Sequence, residues 1–434
     1  MQRIPGCVSL MLSVCLWAGT VGASDSSLTI WWAQWPPAAG LQELSKDFTA
    51  ETGIDVQVHQ IAWPAYQDQV FLEYGNKTTA FDIVVGDSQW IGRGASKGLY
   101  LELTDWIGDA VDLAQIHPLA QRYLMEYPTG SGRIFAAPCE TDALGFVYRR
   151  DWFEDATEQA AFQAKYGRAL ATPDTWTEFR DLAEFFHRPQ DKRYGAALLS
   201  GRGYDSITMG FQPFLWAFGG SWGDRDSFAV RGHLDSPGAT AGLKFMIDLL
   251  EFTAPGGTNA DYSGVLDAFT NGSTAMALNY FPFYPGIVEG MGDQAGFFVV
   301  PGHEGTRAIS LGGQGFSIST KVAESQQLLA KRFIAWFQQQ SVQQKWITYP
   351  GAFTANTALL QSAAFREAYP FNATFAQSLD YLRDFWNVPV YNELLAANSR
   401  VLGEALDGSK TPQEALERLA VEHEMILRGA GLGQ

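Results

Sequence analysis

The chain has 434 residues, with 30 basic and 47 acidic side chains, a formal net charge of −17, and 46% apolar residues. This composition excludes the disordered and fibrous classes, and the length exceeds what one core usually fills, so two or more domains are expected. The acid excess argues against nucleic acid and against an anionic membrane surface, because both need a basic face.

Residues 1–23 read as a secretion signal. Arg3 supplies a short positive start, Val8 to Val21 is almost wholly apolar, and Val21-Gly22-Ala23 sets up cleavage before Ser24. Cys15 follows Val14 and Cys7 lies too near the start, so no lipid-modified cysteine is expected. Losing Arg3 leaves 29 basic against 47 acidic residues, or −18. Cys7 and Cys15 leave with the signal, so Cys139 is alone and reads as a small buried apolar residue. No later segment reaches the ~18 apolar residues of a membrane span, so no stable membrane insertion is expected.

Leu28 to Trp32 is a short apolar run, read as a buried strand. Pro36-Pro37 opens a helix with Leu41, Leu44 and Phe48 on one face, ending at Gly53. Ile54 to Ile61 alternates like a half-covered strand. Phe81 to Val85 is another buried strand, after which Asp87-Ser88 can cap a helix that ends at Gly98. Strand and helix alternate, which predicts an α/β fold with a mostly parallel sheet. Thr175-Trp176-Thr177-Glu178 and Thr411-Pro412-Gln413-Glu414 read as capping boxes. Ser236-Pro237 opens a helix with Leu243, Met246 and Leu250, and the last helix holds Ala415, Leu416, Leu419 and Met425. Phe297 to Val300 and Phe316 to Ile318 are strand-like. No Pro/Gly/Ser linker divides the chain, which suggests domains that exchange segments.

Enzyme signatures are missing. There is no phosphate loop, no dinucleotide fingerprint and no nucleophile elbow; Gly315-Phe316-Ser317 lacks the second glycine. His423-Glu424 begins a zinc helix motif, but Leu427 stands where its second His is needed, and the six histidines have no metal spacing. No cofactor or metal is expected. Among 47 acids, paired carboxylates such as Glu140 and Asp142 leave a glycan-cleaving enzyme open as an alternative.

Aromatics concentrate where strands end. Trp35 follows the first strand and Trp90 follows the third, beside Asp87 and Ser88. Trp216 and Trp222 bracket Gly219-Gly220, and Tyr280, Phe281, Phe283 and Tyr284 crowd around two prolines. Ligands of open α/β sheets bind beyond the carboxyl ends of strands. A sugar needs aromatic platforms for its apolar faces and polar groups for its hydroxyl edges. Trp31, Trp32, Trp176 and Trp336 read instead as core.

The order of segments resembles the family 1 extracellular solute-binding proteins of ABC importers, the maltose-binding-protein-like group. Thr52-Gly53-Ile54 looks like that family's "TGI" turn, and Phe81 to Val85 with Asp87, Trp90 and Gly98 like its second strand–helix unit. Gly132 to Pro138, leading to Tyr148-Arg149-Arg150-Asp151, is similar to its first hinge crossover, usually "YN(K/R)D". Pro173 to Phe179 resembles its "P-x-T-W-x-E" start, Phe269 to Met276 its "F-x-x-G-x-x-A-M", and Leu311 to Ser319 its second crossover. Arg149-Arg150 in place of an Asn-Lys pair is a departure.

The resemblance implies two α/β lobes joined by hinge crossovers: an N-lobe of residues 24–138 and 313–350, and a C-lobe of 139–312 and 351–434. It implies a monomeric periplasmic protein that closes on a sugar, oligosaccharide or polyol and delivers it to the permease of an ABC importer, without chemistry. A non-sugar solute on the same fold is an alternative, and a sensor role is not separable from transport. By position, the ligand-binding residues would be Gln34, Trp35, Asp87 and Ser88 from the N-lobe and Glu140 and Asp142 from the hinge. The C-lobe would add Tyr204, Gln212, Trp216, Tyr280 and Phe281, and the second crossover Gly313 and Gln314.

Overall fold

A computed structural model describes residues 27–433; the secretion signal and its cleavage site lie outside the described residues. Nine strands form one curled sheet: β1 Ser27–Ala33, β2 Asp55–Ile61, β3 Ile83–Asp87, β4 Ala137–Arg149, β5 Tyr194–Ala197, β6 Thr274–Tyr280, β7 Ala295–Phe298, β8 Ile309–Ile318 and β9 Leu382–Arg383. Their order is β2-β1-β3-β8-β4-β6-β5, with β7 beside β4 and β9 beside β8. The parallel pairing expected from strand–helix alternation holds for β1 with β2 and β3, and for β5 with β6. The long strands β4 and β8 run antiparallel to each other and to β3, β6 and β7, so the sheet is mixed.

β4 and β8 tie the two ends of the sheet together. Ala137 to Ala143 pairs with Phe316 back to Leu311, and β4 then continues as Leu144 to Tyr148 against β6. β8 does the converse: its end, Gln314 to Ile318, pairs with β3. The register shifts between Pro138 and Glu140, a bulge that leaves the free thiol of Cys139 buried in the crossover.

Each end of the sheet has its own packing. On the first, helix Pro36–Thr52 meets helix Glu324–Phe337, with Phe48 edge-on to Phe333 at 5.2 Å. Trp32 and Trp336 are buried there, as their core reading requires. On the second, Trp176 is fully buried against Phe214 at 4.3 Å, and Phe146 stacks on Phe298 at 4.9 Å. Both capping boxes form, at Thr175 with Glu178 and at Thr411 with Glu414. In the last helix, Pro412–Gly429, Met425 is 58% exposed, and His423 and Leu427 take the inward positions instead. His423 is in reach of Asn398 at 2.9 Å, and Asn398 donates to Thr208, which ties the two final helices to the second half. The segment after residue 350 first touches the other half, where the His117 amide donates to Ala355 and Ile116 pairs with Asn356.

Gly313 has a φ of +110°, and a Cβ there would stand 2.7 Å from the Glu140 carbonyl oxygen. Gly313→Ala must therefore strain the crossing strands. The expected loss is about 1–3 kcal/mol of stability, read as a lower denaturant midpoint; an unchanged midpoint would show that the crossing is not tightly fixed.

Candidate functional site

The carboxyl ends of β1, β2, β3 and β6 open on one cavity of about 270 Å³. From the first half come Gln34 and Trp35 after β1, Ala62, Trp63 and Pro64 after β2, and Asp87 and Gln89 at the end of β3. From the second half come Asp205, the residue before helix Ser206–Ala217, and Asp261, Tyr262 and Ser263 at the start of helix Tyr262–Thr270. Tyr280, the last residue of β6, and Phe283 just after it complete that wall. The floor is Asp142 of β4 with Leu311 to Gln314 of β8.

The aromatic walls are braced from behind. Tyr262 stacks on Phe283 at 6.0 Å, Phe283 meets Trp35 at 6.2 Å, and Tyr280 lies 5.9 Å from Tyr262. On the first half Trp63 stacks on the buried Trp90 at 6.1 Å. The indole N–H of Trp90 donates to the Tyr204 hydroxyl at 2.7 Å, a bond that joins the two halves across the cavity's edge. Gly312 makes room for one platform: a Cβ there would meet the Tyr280 ring at 2.7 Å and the Asp142 carboxylate at 2.8 Å.

The electrostatics are unusual. Burial pushes the Asp87 carboxyl well above the ordinary range, and Asp205 and Asp384 add to the effect. Burial also raises Glu140, with Asp142 and Asp87 contributing, and raises Asp142 despite the Ala143 amide that donates to it. Asp205 is pushed up to about 7 by burial, although Tyr262 donates to it at 2.9 Å. Asp384, behind Asp87, is pushed up to about 6 by burial. Glu140 is fully buried, and neither of its oxygens has a hydrogen-bond partner among the described residues.

Seven of the thirteen expected ligand residues meet here: Gln34, Trp35, Asp87, Asp142, Tyr280, Gly313 and Gln314. The other six stand back from the cavity. Ser88 is buried and donates to Asp87, and Asp87 makes no helix cap. Glu140 lies beneath the floor beside Asp142, and Tyr204 sits behind Trp63 and Trp90. Gln212 accepts from Trp222 and donates to Ser310, so its amide is spent inside the fold. Trp216 lines a separate cavity with Trp222 and Trp386. Phe281 turns away from Tyr280 into a core with Tyr284, Phe353 and Phe375.

Trp63, Gln89, Asp205, Asp261, Tyr262 and Phe283 join the site without having been anticipated. Trp63 was readable by the rule that found Trp35, since it follows the end of β2. Asp205 and Asp261 each stand just before a helix, and Asp261 caps its helix through the Gly264 amide.

Residues 32–344 match the family model described as bacterial extracellular solute-binding protein. A probable amino-acid ABC transporter periplasmic-binding protein of Sinorhizobium fredii is 20% identical over 411 residues, 89% of this chain and 86% of its own. Among solved structures, maltose-bound MalE3 of T. maritima superposes with a TM-score of 0.79 at 23% identity, over 93% of this chain and 100% of its own. An ABC transporter solute-binding protein of Agrobacterium radiobacter in complex with ribitol gives 0.78 at 24% identity, over 92% and 98%. These likenesses give a two-lobed periplasmic-binding fold.

The raised acids set a pH dependence. A carboxyl whose folded pKa exceeds its unfolded value contributes stability at low pH and loses it as pH rises through the folded value. His423, held down to about 3 by burial, acts in the opposite sense below about pH 6.5. Between pH 6.5 and 8 the acids act without it. The melting temperature of the ligand-free protein is expected to fall across that window, and less steeply in Asp205→Asn; parallel slopes would mean that Asp205 does not titrate there.

Proposed function

This chain belongs to the bacterial extracellular solute-binding proteins, and from that premise we propose that it captures a small hydroxylated solute, a sugar or polyol, and delivers it to an ABC importer. The observation that carries this reading is the composition of the cavity: aromatic faces of Trp35, Trp63 and Tyr280 on opposed walls, with carboxylates and amides between them. Aromatic faces cover the apolar side of a sugar or polyol while acceptors take up its hydroxyls. Relatives of the same fold hold ribitol and maltose. At about 270 Å³ the cavity falls just below the usual range of ligand sites, roughly 300 to 1,000 Å³. That size favours one ring or a linear polyol over a long oligosaccharide.

The lobes of this reading divide inside the crossing strands. Residues 24–138 with 313–350 would form one and 139–312 with 351–434 the other, supported by the pairing of β8's end with β3 and of β4's end with β6. Closure about β4 and β8 traps the solute, and opening releases it unchanged to the permease. Residues 1–23 act as the export signal to the periplasm, and the protein works as a monomer. Phosphorylated solutes are disfavoured. Arg133 and Arg202, the nearest basic candidates in the sequence, pair with Glu102 and Asp407 and do not line the cavity.

Thermal-shift screening of residues 24–434 against sugars and polyols tests this. A ligand at a hundred times its dissociation constant adds about 2.7 kcal/mol of stability. With the hit in hand, Trp35→Ala and Trp63→Ala are each expected to weaken binding by roughly ten- to a hundred-fold, about 1.4–2.8 kcal/mol, in titration calorimetry. The compound should be recovered unchanged. Unaltered affinity in both variants, or turnover of the compound, would contradict the reading.

A further inference from the structure

The cavity gathers buried acids that have no basic partner. Asp87, Asp142 and Asp205 line it and are each at least nine-tenths buried. No Lys, Arg or His is among its lining residues. Every ion pair among the described residues lies elsewhere. Buried carboxylates are ordinarily paired, because an unpaired buried charge is strongly unfavourable.

A metal ion is a poor candidate for the missing partner. Among the described residues no three or more His, Cys, Asp or Glu side chains stand close enough together to hold one. The acids line a cavity that has room for an organic molecule. The walls between them are aromatic, and an aromatic face attracts a cation within about 6 Å of its centre. None of the cation–aromatic contacts among the described residues uses Trp35, Trp63, Tyr262, Tyr280 or Phe283.

Unpartnered polar atoms point to the rest of the ligand. Gln89 lines the cavity, is 3% exposed, and its Oε1 has no donor. It therefore has an acceptor free for an N–H or O–H. Trp35, which lines the cavity from the same half, has an indole N–H with no acceptor, which suits a hydroxyl oxygen. The lining thus offers both an acceptor and a donor.

We propose that the solute carries one protonated amine on its hydroxylated frame, as an amino sugar or amino polyol does, with the ammonium seated among Asp87, Asp142 and Asp205 against the aromatic walls. This rests on the solute-capture reading and narrows its ligand class. The amine neutralises the buried acids, and the hydroxyls use the remaining amide and indole.

The test is a set of matched pairs that differ only in amine against hydroxyl: glucosamine with glucose, glucamine with D-glucitol, and galactosamine with galactose. Each is titrated calorimetrically into the mature protein at pH 7.5. At least one amine is expected to bind a hundred-fold or more tightly than its hydroxyl partner. Asp87→Asn and Asp205→Asn are each expected to reduce that preference ten-fold or more, with folding checked by the ligand-free melting temperature. A hydroxyl member that binds as tightly as its amine overturns this inference and leaves solute capture standing. Amine preference unmoved in both folded variants also overturns it. If no member of any pair binds, this inference is overturned, while solute capture stands or falls with the thermal-shift screen.

Discussion

Ala137 to Ala143 of β4 hydrogen-bonds to Leu311 to Phe316 of β8, and both strands then run on into opposite ends of the sheet. Two chain crossings made as one ladder hold the halves in register. The bulge at Cys139 and the left-handed Gly313 fall inside that ladder. Everything that faces the cavity is placed by it. Asp142 and Leu311 to Gln314 form the floor directly, and the strand ends of each half are brought opposite each other across it. A sheet broken into two separate sheets joined by a linker would leave those strand ends free to drift.

The cavity is assembled at a cost to the fold. Asp87, Glu140, Asp142 and Asp205 are buried near one another, and each is held above its ordinary protonation range chiefly by burial. A protein selected for stability alone would have replaced such acids with apolar residues, since buried unpaired charge destabilises. Here they stand around an aromatic-walled space, where a ligand can partner them. The same logic explains the contrast with the surface, where Glu102, Glu414 and Glu422 are held below the ordinary range by hydrogen bonds and cations.

Much of this was legible from the residues. Alternation and apolar runs located β1, β2 and β3, and the rule that ligands sit beyond strand ends pointed to Trp35, Asp87 and Tyr280, which line the cavity. The residues that stand back from the cavity do so for identifiable reasons. Phe281 follows the last strand residue, so it faces away from Tyr280 and enters the core. Gln212 and Trp216 sit on a helix buried on all sides, where polarity and aromaticity serve packing rather than a ligand. Met425 fits the helical spacing of its neighbours, but only the contacts of the final helix decide that His423 faces inward. Asp205 and Asp261 arrive by long-range topology, through loops whose position depends on how β5 and β6 pair. No local pattern carries that information.

The most direct measurement is a crystal structure of the mature protein with the tightest compound from the thermal-shift screen. The expected result is electron density for one molecule between Trp35 and Trp63 on one side and Tyr280 on the other, with polar atoms within hydrogen-bonding distance of Asp87, Asp142 or Asp205. Density for the compound outside the space between the two halves, with that space filled only by water, would contradict the account.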